Sequence, residues 1–392
     1  MTESKYIAGA GGGGGKGGGG GSSPTEADDS LQSKQFANAL DLISEGEIQG
    51  LDDGNKSIFF DGTPLQAADG TYNFTDYTIV TRTGTQGQSY IPGVFSNVES
   101  ETSVGVEVTN ATPVVRQITD SDVDRVRVTI QIPALQQIED DGDIVGTSVS
   151  ISIQVQYNGG GYSTVKTDTI SGKSSGSYQR DYLLTLTGSF PVDIKVVRNT
   201  ADNGTTKLAN TTNWQSFTSI IDAKLAYPNS ALVGLRLGSS QFNSIPQRKY
   251  LIRGIKVAIP SNATVDTTTH LGRITYSGVW DGTFAAATWT NDPAWCLWDL
   301  LTNDRYGAGI PESSLDRYDF FAISQYCNTL VDDGKGGQEP RFSCNLLINQ
   351  RKEVYNVIQE MSSIFRGISY YGAGSLVLLQ DKPSDAQYTL GP

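Results

Sequence analysis

Residues 172–176, GKSSG, match the GxSxG spacing of a nucleophile elbow, in which Ser174 would attack an acyl carbon. That chemistry needs a sharp strand-to-helix turn, a histidine base and an oxyanion hole. The stretch instead lies between strand-like STVKTDTI and RDYLLTL, so a hairpin turn is expected. Metal chemistry would need clustered ligands, yet Cys296, Cys327 and Cys344 form no CxxC, and the one histidine is His270. Each cysteine falls in an apolar-periodic segment and is expected to be a buried free thiol. The acidic runs EDDGD (139–143) and DDGKGG (332–337) could attract calcium, but neither has alternating ligand spacing, and both read as solvated turns. The tract GAGGGGGKGGGGG (9–21) imitates a phosphate-binding loop. A Walker loop would need glycine at position 10 and Ser or Thr after Lys16; Ala10 and Gly17 stand there. Trp289, Trp295 and Trp298 crowd the segment TNDPAWCLWDLLTNDRYG and could stack on a sugar or line a cofactor pocket. At helical spacing beside Leu297, Leu300 and Leu301, Trp295 and Trp298 read as core. A glycosidase pair of carboxylates leaves no specific signature among 42 acidic residues. No residue is therefore assigned a catalytic, cofactor-binding or metal-ligating role, and no cofactor is expected.

The 392 residues suffice for two or three domains. A formal charge of −13 argues against binding nucleic acid through phosphate neutralisation, which needs basic stripes. No apolar run is long enough to span a membrane. MTESKYIAGA lacks the apolar core of a signal peptide, so synthesis and solubility in a cytoplasm are expected.

The elements that would hold these residues are mostly strands. Residues 1–30 read as a glycine-rich flexible arm, because glycine loses the most backbone freedom on ordering. From Leu31, the series Leu31, Phe36, Leu40 and Ile43 is partly helical in spacing, followed by short strands with Asp61-Gly62 and Asp69-Gly70 turns across 31–112. Residues 113–240 are the clearest β block. Val126, Val128, Ile130 and Ile132 alternate with polar residues, as do Val149, Ile151, Ile153, Val155 and Tyr157, and Val192, Ile194 and Val196. A period of two buries one face, and several such strands predict a sandwich of immunoglobulin-like size. A β-rich stretch (241–290) leads to an α+β region, 291–392. There Asp292 caps a helix with Pro293 at its first position and Gly307 beyond its end. A second helix follows Pro311, with Phe320, Ile323, Cys327 and Leu330 in register. RFSCNLLI reads as a strand. A third helix carries Val354, Ile358, Met361 and Phe365, capped by Asn349 and stopped by Gly367, before a hairpin around Gly372 and Gly374. The end at Pro392, just after the last expected strand, reads as that of a fragment. The expected fold class is α+β, mainly β, with several domains.

Longer stretches carry a resemblance. SLQSKQFANALDLISEGEIQGL, KSIFFDGTPLQ, GTYNF, SVGVEVTNATPVVR, TTNWQSFTSIIDAKLAYPNSALVG, GVWDGTFAAATWTNDPAWCLWDLLTNDRYG and DDGKGGQEPRFSCNLLINQRKEVYNVIQEMSSIFRG occur in that order. Together they resemble the tail tip attachment protein J family, the host-specificity or central tail fibre proteins of lambda-like siphophages. None is a catalytic signature; their specificity lies in length and collinearity. The resemblance implies a virion structural protein rather than an enzyme: a homotrimeric hub that closes the distal end of the tail tube, anchors the central fibre and opens for DNA ejection. It implies as partners other copies of the chain, other tail tip and distal tail proteins, and the tape measure protein. Phage DNA would pass the lumen without specific binding, and the host receptor would meet a C-terminal part absent from this chain. In that setting the sandwich is an insertion into the hub, the glycine arm orders only in the assembly, and the acidic surplus suggests a neutral to negative channel wall. The alternative from another class is a tail-associated glycan-binding or cell-wall-degrading protein.

Overall fold

The computed structural model describes residues 24–93, 95–350, 352–372 and 375–383. The polyglycine tract, with residues 1–23 of the expected arm, lies outside the described residues, as do Gly374 and residues 384–392. The described residues are mainly β, with 43% strand and 11% helix. It divides into two compact units, one built from residues 24–33 and Val98–Asp222, the other from Lys34–Asn97 and 223–383. The first unit thus interrupts the second in sequence.

The first unit is a sandwich of two antiparallel four-stranded sheets. One has the order Ser163–Gly172, Thr147–Tyr157, Val192–Arg198, Val114–Ile118; the other has Tyr178–Thr185, Arg125–Ile132, Asn213–Ile221, Val98–Glu107. The alternating residues face inward as their period requires: Val126, Val128, Ile130, Ile151, Ile153, Val155, Val192, Ile194 and Val196 are all buried in one cluster with Trp214. Each such side chain contributes about 1.5–3 kcal/mol on leaving water. The GKSSG stretch is not the hairpin turn its flanks suggest. The strand before it belongs to one sheet and the strand after it to the other, so it is a crossover between layers.

Residues 24–33 lie on this sandwich as a strap. Ala27 N–H donates to Ile144 O, and Ile144 N–H to Thr25 O. Ser30 and Leu31 both donate to Lys173 O, and Leu31 joins a small cluster of Ile132, Leu135, Val149, Ile170 and Tyr178. The Lys173 ammonium, almost wholly covered, reaches Glu26 at 2.7 Å and Asp29 at 2.9 Å.

In the second unit the opening segment is a strand, Phe36–Glu45, rather than partly helical. It pairs along its whole length with Ser230–Gly238, which pairs on its other side with Tyr77–Thr83. A register shift between Leu42 and Ser44 inserts one extra residue. Ala39 and Ile43 meet the core while Leu42 stands 64% exposed, the alternation of a strand, and Phe36, which the helix-like spacing had placed on the apolar face, is itself exposed. Ile58, Phe60 and Leu65 pack under Val233, Leu235 and Leu237 of this sheet.

Three α-helices follow among the described residues: α1 (Pro293–Thr302), α2 (Arg317–Cys327) and α3 (Val354–Ile364). Leu330 lies past the end of α2, in a short strand, Leu330–Asp332, paired with Gln338–Pro340. The expected strand RFSCNLLI forms no ladder. Its backbone donors go to three unrelated acceptors, Arg341 to Thr329, Phe342 to Cys327 and Cys344 to Asn291, and Leu346, Leu347 and Ile348 are exposed. Helix α3 has Glu353 rather than Asn349 at its cap position, with no side-chain cap bond, and Val354 of its expected apolar stripe is half exposed. Strands Gly367–Gly372 and Ser375–Gln380 close the described chain as a hairpin.

Candidate functional site

Helix α1 starts where its sequence requires. Asp292 takes an extended conformation and its Oδ1 accepts from Trp295 N–H at 2.9 Å, while Pro293, which has no N–H to leave unpaired, occupies the first turn. At its far end Ala308 N–H returns to Leu300 O, and Gly307 sits so close that a Cβ would stand 2.3 Å from that carbonyl oxygen. Only glycine fits there.

The cap aims the Asp292 carboxylate inward, and it is 1% exposed. Its Oδ2 accepts from Ser324 Oγ at 2.6 Å and from Asn328 Nδ2, both on or next to the last turn of α2. Behind Ser324 stands Tyr276 OH, which accepts from Trp295 Nε1 at 2.8 Å. Asn328 Oδ1 accepts from Ile274 N–H at 2.8 Å. A directed chain of donors thus runs from two strand residues and two helices into one carboxylate. Burial pushes the Asp292 carboxyl above its ordinary range, against the lowering effect of its hydrogen bonds. Burial and the nearby Asp292 charge raise the Tyr276 hydroxyl likewise.

A serine beside a carboxylate is half of a nucleophilic pair, but Ser324 is wholly buried and its single proton is given to Asp292. What this arrangement does is positional: it fixes α1, α2 and the Ile274–Tyr276 strand to one another. Aromatic packing surrounds it. Trp295 is wholly buried and Trp298 nearly so; their rings lie 6.1 Å apart, Trp280 stacks on Phe321 at 5.1 Å, and Trp298 meets the edge of Phe320 at 5.1 Å. Trp289, half-buried, carries the Arg253 guanidinium 5.5 Å from its ring centre. The tryptophans of the segment are spent on packing and offer no open stacking platform.

The other chemistry-bearing residues stand apart from this network or inside turns. Ser174 Oγ donates to Gly176 O and is buried. In the 139–143 loop, Asp141 accepts from Asp143 N–H, Asp143 from Thr25 N–H, and Asp140 pairs with Lys207 at 2.7 Å. In the 332–337 turn, Asp333 Oδ1 accepts from Lys335 and Gly337 N–H, which lowers its carboxyl below the ordinary range. Asp141 and Asp333 are turned onto their own turns' backbone, while Asp143 and Asp140 are taken by Thr25 and Lys207. His270 Nε2 lies 2.9 Å from Gln338 O, and its ring nitrogen Nδ1 is 3.7 Å from Asp266. Among the described residues, no group of three or more His, Cys, Asp or Glu is placed to hold a metal ion.

The cysteines are free thiols. Cys327 and Cys344 are buried, whereas Cys296 is only half-buried, packed against the edge of the cluster that holds Trp295. Burial pushes the Cys327 thiol far up. Sequence spacing alone could not show that Cys344 is anchored to Asn291, nor that Asp292, Ser324, Asn328 and Tyr276 converge. The one legible signal was the Asp-Pro helix start.

Comparison with known proteins adds a separate line. Residues 98–223 match a family model described as the FNIII-A domain of tip attachment protein J. The chain aligns over 368 residues, 92% of its length, at 39% identity with the Tip attachment protein J of Escherichia phage SECphi4. Over 369 residues, 93% of its length, it is 36% identical to that of Escherichia phage SECphi27. The chain spans about a third of the length of these curated relatives, 32% and 30%. Solved structures offer only faint likenesses. A protein of Sulfurospirillum deleyianum is 12% identical, covering 31% of this chain and 97% of that one, with a TM-score of 0.19. A beta-fructofuranosidase of Schwanniomyces occidentalis is 12% identical over 32% of this chain and 33% of that one, at 0.17. Scores this low carry no argument about fold or function.

Proposed function

With the tip attachment proteins J as its relatives, we propose that this chain is a structural part of a siphophage tail tip, a portion of a trimeric hub that closes the distal end of the tail tube and opens for DNA ejection. The observation that carries this is the similarity over more than nine-tenths of the chain, spanning both units rather than the sandwich alone. A structural role agrees with how the polar residues are used. Asp292, Ser324 and Asn328 are consumed in holding helices together, and the tryptophans in packing.

On this reading the chain turns over no substrate. Its partners are two further copies, neighbouring tail tip and distal tail proteins, and the tape measure protein. Closed rings at a tube end match the tube's three- or six-fold symmetry. The formal charge of −13 favours a lumen wall that does not hold the phosphates of passing DNA. Contact with the host receptor belongs to the remaining two-thirds of the relatives' length.

Electron cryomicroscopy of the intact particle bearing this chain tests the proposal. Three copies about the tail axis at the distal end are expected. A two-fold or asymmetric arrangement, or a position elsewhere in the particle, would overturn it. Cleavage or tight binding of peptidoglycan by the purified chain would favour a glycan-directed protein instead.

A further inference from the structure

The GKSSG crossover is a carboxylate clamp, and what it holds is the strap. Lys173 Nζ donates to Glu26 Oε1 at 2.7 Å and to Asp29 Oδ1 at 2.9 Å. Ser175 adds its N–H at 3.0 Å and its Oγ at 2.6 Å to the same Asp29 carboxylate, and Lys173 N–H donates to Ser30 Oγ at 2.9 Å. Beside the clamp, Leu31 packs against Ile132, Leu135, Val149, Ile170 and Tyr178. The backbone leaves room for this occupant. A Cβ on Gly172 would stand 2.7 Å from Ser30 Oγ and 2.8 Å from Leu31 Cγ, and one on Gly142 would stand 2.9 Å from Pro24 Cγ. The groove therefore reads a sequence: two carboxylates three residues apart, then a hydroxyl and an apolar side chain.

Among the described residues, the hydrogen bonds of 25–33 go to Asp143, Ile144, Lys173, Ser175 and Gln179, all in the sandwich unit. In sequence, however, the strap is carried by the other unit. Ser33 Oγ accepts from Gln179 N–H at 2.7 Å, and Gln35 N–H already donates to Ser239 Oγ at 3.0 Å, so only the exposed Lys34 lies between. Residues Lys34–Asn97 then belong to the second unit before the chain enters the sandwich at Val98. We infer that the sandwich carries a docking groove for an extended acidic segment, and that the 24–33 strap of a second copy of this chain fills it as the chain's own strap does. Exchanging an identical element keeps every contact and asks only the hinge at Lys34 to change. Charge fits the same occupant. Glu26, Asp28 and Asp29 are acidic in a chain of formal charge −13, so docking them needs a cation, and Lys173 supplies it. The inference stands on these contacts and is independent of the tail-tip reading.

Two variants of the whole chain test it. In the receptor, Asp29→Ala with Leu31→Asp disables the chain's own strap and leaves the groove intact. In the donor, Lys173→Met disables the groove and leaves the strap intact. Hydrogen exchange is read by mass spectrometry on an isotopically labelled donor, in the peptide covering Ala27, Ser30 and Leu31. Alone, the donor's strap should exchange freely. Mixed with receptor at the concentration a short tether supplies, on the order of 1 mM, it should slow by about tenfold or more. An excess of the synthetic peptide 24–33 should reverse that protection, and a donor that also carries Leu31→Asp should gain none. Unchanged protection of Val126, Val128 and Ile130 checks that each variant is folded. A second receptor, Glu26→Ala with Asp29→Ala, leaves Leu31 and the cluster beneath it untouched. Donor strap amides that stay fast with both receptors, or that are already slow in the donor alone, would overturn the proposal.

Discussion

Replacing Asp292 by alanine removes the acceptor on which α1 and α2 converge. The lost N-cap bond to Trp295 N–H costs about 1 kcal/mol. Ser324 Oγ loses its only carboxylate partner inside the core, and a stranded buried donor costs about 1–3 kcal/mol. Asn328 Nδ2 keeps a 2.8 Å bond to Ser324 O, so it adds little. Release of a buried charge offsets part of the sum, and the expected net loss is about 2–4 kcal/mol. Urea unfolding followed by tryptophan fluorescence reads this well, since Trp295 and Trp298 sit on the affected helix. Asp292→Asn keeps the cap oxygen but turns an amide toward Asn328 Nδ2, so it should fall between wild type and alanine. The pH dependence adds a second readout. Because burial raises the native carboxyl above its unfolded value, the native state holds the proton longer. Stability therefore falls as pH rises from the ordinary carboxylate range through the raised value. Asp292→Asn should remove that component of the slope. An alanine variant within about 0.5 kcal/mol of wild type, with an unchanged pH slope, would refute the idea that this carboxylate organises the helices.

Gly307→Ala would place a Cβ 2.3 Å from Leu300 O and 2.7 Å from Asn303 O, both backbone atoms, so a loss of about 2 kcal/mol or more in chemical denaturation is expected. Lys173→Met should free the 24–33 strap, seen as faster amide exchange at Ala27, Ser30 and Leu31 with the sandwich strands unchanged. In the wild-type chain, hydrogen bonds from Ser175 and Lys173 hold the Asp29 carboxyl at about 2. Strap protection should therefore persist at neutral pH and fade as pH drops from the ordinary carboxylate range through about 2.

The sandwich was legible because its strands obey a local rule. In 126–132, 149–157 and 192–196 the side-chain period alone says which residues face inward, whatever the partner strand. The start of α1 was legible for the same reason, since the Asp292-Pro293 pair satisfies the first-turn backbone within a few residues. Where pairing or packing across the chain decides, local signals misled. Phe36–Glu45 carries helix-like spacing of its large apolar residues, yet it forms a strand because its backbone pairs along its length with Ser230–Gly238. The strand-like RFSCNLLI has its donors claimed by Thr329, Cys327 and Asn291, so no neighbour remains for a ladder. Collinear similarity pointed to the family without any of this geometry. What tertiary structure alone decided is the polar network of Tyr276, Asp292, Ser324 and Asn328, the strap on Lys173, and the anchoring of Cys344 to Asn291. Each joins residues that no periodicity relates, because their nearness is set by how helices and strands pack, not by the chain between them.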